Sequence, residues 1–178
     1  PPGGSWQDLS STNFSLRASQ CVSTAVTITV AAPESCSSTL EASKDVAIDA
    51  GSPTLYAIPG AIVQYDLEVT NPGQAIDAGS LTLVDTFPGD VSILTAGSGA
   101  FTFTDGIIPS GLTFTYGGPA DMGDSVAFST DGTDYTQVPS SPQDSNVTHI
   151  RFTPSGQFDP NDAGDKPSFT ISFKGEVQ

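Results

Sequence analysis

The sequence predicts an all-β fold, a β-sandwich with an extended N-terminal arm. Three observations carry this expectation. Apolar residues alternate with polar ones along many short segments, as half-buried strands require. No window sustains a 3.6-residue period, so almost no helix is expected. The 178 residues include 18 Gly and 14 Pro, and the polar remainder is dominated by Ser and Thr. That composition suits short strands joined by many turns.

The elements follow in chain order. Residues 1–20 open with Pro1-Pro2-Gly3-Gly4 and read as an extended arm. An even-numbered stripe follows, with Phe14, Leu16, Ala18, Val22, Val26, Ile28 and Val30 on one side and Thr27 and Thr29 on the other. It is longer than one ordinary strand and ends at Pro33. A short strand is expected at residues 45–49. A clear one spans residues 62–70, with Val63, Tyr65, Leu67 and Val69 inward and Gln64, Asp66 and Glu68 outward. Asn71-Pro72-Gly73 then turns the chain. Further strands are expected at 81–87, 91–94, 100–104, 112–116, 125–129 and 147–153. The last carries Phe169, Ile171, Phe173 and Val177. The inward set is large enough to fill one core between two sheets. The expected division is residues 1–44 as arm and extra strands, and residues 45–178 as the sandwich.

Charge narrows the function. Twenty acids against five bases give a formal net charge of −15. Such a chain repels phosphate backbones and anionic lipid surfaces, so no nucleic-acid partner is expected. No apolar run is long enough to span a bilayer, so no membrane insertion is expected. The chain starts at Pro1 without a basic region or an apolar leader core, so a signal peptide is expected to be either absent from the parent protein or already removed. One His and two Cys leave no zinc-site spacing. The acids are 16 Asp and 4 Glu, and most Asp sit beside Gly, Pro, Ser or Asn, where they decorate turns.

Cys21 and Cys36 are the only thiols. Their simplest arrangement is one disulfide, closing a loop of about 15 residues worth roughly 3 kcal/mol in the chain-entropy model; the alternative is two free thiols. A disulfide implies a compartment outside the cytosol. Asn13-Phe14-Ser15 and Asn146-Val147-Thr148 match the N-glycosylation acceptor pattern, which makes Asn13 and Asn146 candidate acceptors.

One stretch carries a family resemblance. Residues 58–73 read Ile-Pro-Gly-Ala-Ile-Val-Gln-Tyr-Asp-Leu-Glu-Val-Thr-Asn-Pro-Gly, and Leu83-Val84-Asp85-Thr86-Phe87-Pro88 follows. This pattern resembles the prokaryotic conserved-repeat cell-surface domain, also called domain of unknown function eleven. Ser129-Thr130-Asp131-Gly132, residues 147–152 and the closing strand resemble its second half, so the likeness covers roughly residues 45–178. It implies an immunoglobulin-like sandwich on the cell surface or outside the cell. The shared residues make turns and strand ends, so it implies little about chemistry. Family members usually stand in tandem arrays, whereas this chain carries a single unit behind its N-terminal segment.

The N-terminal stripe needs a cover. It either folds back as extra strands of its own sandwich or inserts into the next copy. Strand donation is head-to-tail and generates a filament. Leu9, Phe14 and Leu16 would be the donor-strand anchors, and the Cys21–Cys36 bridge would brace the base of the arm. The function expected is therefore a non-enzymatic structural subunit of an extracellular pilus-like or matrix filament, with other copies of itself as partners. The alternative is a cell-surface adhesin or spacer that binds glycan, a host surface or calcium.

Candidate chemical sites are few. Asp159, Asn161, Asp162 and Asp165 form the densest acidic loop. They are the candidate calcium ligands, set against a plain solvated turn; no other cofactor is expected. His149 lies mid-strand on a polar face with no nucleophile elbow in the sequence, so no catalytic residue is assigned. Trp6, Tyr56, Tyr116 and Tyr135 are candidates for a sugar-stacking platform, set against ordinary packing. Lys44, Lys166 and Lys174 are candidates for amide cross-links to Asn.

Overall fold

The computed structural model describes residues 26–30, 40–97 and 99–178. Ten strands form, and no helix is present among the described residues. They are β1 (Val26–Val30), β2 (Glu41–Ile48), β3 (Ile62–Thr70), β4 (Leu81–Thr86), β5 (Val91–Leu94), β6 (Phe101–Asp105), β7 (Val126–Ser129), β8 (Gln143–Asp144), β9 (His149–Phe152) and β10 (Ser168–Val177).

Two antiparallel sheets pack face to face. One has the order β1-β4-β9-β7, and the other runs β2-β3-β10-β5-β8 with β6 also on β10. The C-terminal strand is the spine of the larger sheet. Along one edge it pairs with β3 from Ser168↔Thr70 to Glu176↔Ile62. Along the other it meets β6 (Phe169↔Asp105 to Phe173↔Phe101) and then β5 (Gly175↔Ile93 to Val177↔Val91). β5 and β6 thus act as one strand interrupted by an excursion around residues 95–100.

The alternation explains the core. In β3, Val63, Tyr65, Leu67 and Val69 are buried; in β10, Phe169, Ile171, Phe173 and Val177 are buried. Aromatic rings close the space between the sheets. Phe152 of β9 lies 5.5 Å from Phe173 of β10, and Phe101 of β6 lies 5.8 Å from Phe128 of β7. Such offset and edge contacts add to the area term.

Several elements differ from expectation. β2 starts at Glu41, not Asp45, and Leu40 is already in the core. β1, within the segment expected as arm and extra strands, pairs with β4 from Val26↔Asp85 to Val30↔Leu81. Residues 112–116 are not a ladder strand. Thr113 makes one bridge to Ser155, and Thr115 exchanges bonds with Ser125 instead. Their side chains nevertheless face as the alternation requires, with Phe114 stacked 5.7 Å from Phe103 and Tyr116 4.7 Å from Phe101. β8 was not expected; it is a two-residue strand, too short for a periodic signal.

Candidate functional site

An ion pair lies in the core between β2 of the larger sheet and β4 of the smaller one. The inward face of β4 runs Leu81, Leu83, Asp85 and then Phe87, so a carboxylate occupies a position where alternation places an apolar side chain. On β2 the facing set is Ala42, Lys44, Val46 and Ile48. The Lys44 Nζ donates to both Asp85 carboxylate oxygens, at 2.7 and 2.8 Å. The two side chains are 4% and 0% exposed. β2 and β4 belong to different sheets, so the pair spans the sandwich.

Aromatic and apolar groups enclose it. The Lys44 ammonium lies 4.7 Å from the Tyr65 ring centroid, a cation–π contact. Tyr65 in turn packs 5.2 Å from Phe87 and 5.3 Å from Phe173. Asp85 sits opposite Ile150 on β9. Burial pushes the Asp85 carboxyl up to about 6; the Lys44 charge and hydrogen bond and the Thr86 amide pull it only partway back. A buried pair of this kind is weak evidence for net stability, because desolvation offsets much of the attraction. It does fix which strand faces which, since either charge alone in that space is strongly unfavourable.

The other lysines of the described chain also meet carboxylates, but nearer the surface. Lys166 meets Glu41 at 3.0 Å with side chains 45% and 57% exposed, and Lys174 meets Asp49 at 2.7 Å with 37% and 14% exposed.

The sequence-predicted sites are distributed as follows. Leu9, Asn13, Phe14, Leu16, Cys21 and Cys36 lie outside the described residues, as does Trp6. Asn146 is exposed in a turn, where its backbone N–H and its Nδ2 both donate to the Asp144 carboxylate. In the 159–165 loop the Asn161 side chain and the backbone bond within the loop and to the turn at 71–73. The Asn161 Nδ2 donates to the Pro72 carbonyl, its Oδ1 accepts from the Gly164 N–H, and the Asp165 N–H donates to the Asp162 carbonyl. Among the described residues, no three His, Cys, Asp or Glu side chains converge as a metal ion would require. His149 Nδ1 lies 2.8 Å from the Thr148 hydroxyl.

The tyrosines are put to separate uses. Tyr116 donates its hydroxyl to the Thr95 carbonyl, Tyr135 lies under the Arg151 guanidinium at 4.4 Å, and Tyr56 is 71% exposed. The sequence shows Asp85 only as part of the stretch that carries the family resemblance, and its burial is a finding of the structure. The signal that marks it is an acid on the inward beat of an otherwise apolar strand.

Comparison with protein-family models, with curated proteins and with solved structures finds no match to this chain.

Proposed function

We propose that the chain is a structural subunit of an extracellular filament, its copies joined head-to-tail through the N-terminal segment. The observation that carries this reading is mechanical. β10 is hydrogen-bonded along both edges through most of its length, so tension along its axis loads many ladder bonds together in shear. The Lys44–Asp85 pair adds a tie between the sheets near the N-terminal side of the fold. Among the described residues β1 is an edge strand of its sheet, and an edge is where a donated strand would pair. The extracellular location rests on the sequence: on Cys21 with Cys36, and on the resemblance to the conserved-repeat surface domain. Deleting residues 1–16, which removes Leu9, Phe14 and Leu16, is expected to abolish assembly and leave the β-sheet circular dichroism intact. Polymers that persist after the deletion would rule out donation from this segment.

A second reading, a surface adhesin or spacer, is favoured by a different observation. Leu55, Tyr56 and Ile58, in the loop between β2 and β3, are 86%, 71% and 51% exposed. An exposed aromatic beside aliphatic side chains is suited to stacking on a sugar face. Under this reading Tyr56→Ala lowers retention on a glycan surface, and the 1–16 deletion does not.

A further inference from the structure

We propose that Lys44 and Asp85 condense to an intramolecular amide that staples the two sheets covalently, with loss of one water. Four observations point to this bond. Nζ stands 2.7 and 2.8 Å from the two carboxylate oxygens. That placement puts it roughly 3 Å from the carboxyl carbon, the separation of a near-attack pair. The site is dry, with side chains 4% and 0% exposed, so the water released has no counterpart waiting to hydrolyse the product. The surroundings are apolar and aromatic, through Tyr65, Leu83, Phe87 and Ile150, and they favour a neutral pair over an ionic one. Finally, each group is held on a strand paired with a neighbour, Lys44 on β2 against β3 and Asp85 on β4 against β9, so the two are brought together before the reaction begins.

The step balances without a co-reactant. A proton passes from the Lys44 ammonium to the Asp85 carboxylate and leaves an amine and a carboxylic acid. The amine lone pair attacks the carboxyl carbon and forms the C–N bond. The C–OH bond breaks, and the hydroxyl leaves with one amine hydrogen as water. Burial raises the affinity of Asp85 for a proton, which moves it toward the acid form that this step needs. The pairs Lys166–Glu41, exposed, and Lys174–Asp49, half-buried, have comparable contact distances but keep access to water, so they stay ionic. One bond, and not three, is therefore expected.

The test is the intact mass of the full chain after reduction and unfolding, measured when fresh and after prolonged incubation in the folded state. The expected mass is one water, about 18 Da, below the sequence mass. Fragmentation should show a branched peptide joining Lys44 to Asp85. Lys44→Arg and Asp85→Ala should each restore the full mass, whereas Lys174→Arg should keep the deficit. The branched peptide is read on the unsubstituted chain, so the result does not depend on whether a variant folds. A full mass at the end of incubation overturns the proposal. So does a water loss that maps to cyclisation at Asp105-Gly106 or Asp131-Gly132.

Discussion

Asn71→Ala gives the sharpest test of how the loops are held. Asn71 is fully buried at the end of β3. Its Nδ2 donates to the Gln74 and Asp159 carbonyls, both at 2.8 Å, and its Oδ1 accepts from the Gly73 N–H at 2.9 Å. The side chain therefore closes its own turn and clips it to a loop 88 positions downstream. Three hydrogen bonds at about 1 kcal/mol each give a loss of about 3 kcal/mol. Both bonds to Gln74 and Asp159 are only part-buried, so the loss stays near this figure. In urea, with a slope of about 2 kcal/mol per molar, the midpoint should fall by about 1.5 M. Asn71→Asp should cost at least as much at neutral pH, because it sets a carboxylate against two carbonyls. A midpoint unchanged in the alanine variant, or an aspartate variant as stable as the parent, would refute the clip.

Other outcomes follow from the same structure. In freshly made chain, before the Lys44–Asp85 amide has formed, Asp85→Ala leaves Lys44 alone in the core and should cost about 3–5 kcal/mol in thermal unfolding, whereas Lys44→Met with Asp85→Leu should recover most of it. Phe173→Ala removes the ring that meets Tyr65, Phe87, Phe101 and Phe152, and should cost about 3–5 kcal/mol. Gly175→Ala should cost about 1–3 kcal/mol, since an added methyl overlaps the Val91 side chain and presses on the Phe87 ring and the Ser92 carbonyl. The Asp131 carboxyl is held well below the usual range by the Asp134 and Thr133 amides and the Ser129 hydroxyl, and Asp49 is lowered by Lys174 and the Gly51 amide. Groups lowered in the folded state stabilise it above their unfolded value of 3.8 and lose that contribution as pH falls below it. Stability should therefore drop in acid below about pH 4, with a shallower slope in Asp131→Asn, measured by urea midpoints across pH.

The strands with strong alternation were legible, and the sites between them were not. β3 and β10 could be read because every second side chain is apolar and no polar residue breaks the beat. β2 was read short because Lys44 falls on its inward face and masks the period. Residues 112–116 carry the right side-chain phase, but phase alone does not supply a ladder partner; Ser125 takes that place. The Lys44–Asp85 pair joins residues 41 positions apart on different sheets, and spacing along the chain carries no sign of it. The turn residues were legible in kind, since Asn71 and Asp131 were read as turn formers. That Asn71 also holds the loop at Asp159 depends on the tertiary fold alone.

The filament reading is tested most directly by negative-stain electron microscopy of the full chain at neutral pH, as isolated from its source. The account predicts uniform thin filaments that disappear when residues 1–16 are removed. Discrete single-subunit particles at high concentration, with residues 1–16 present, would contradict it.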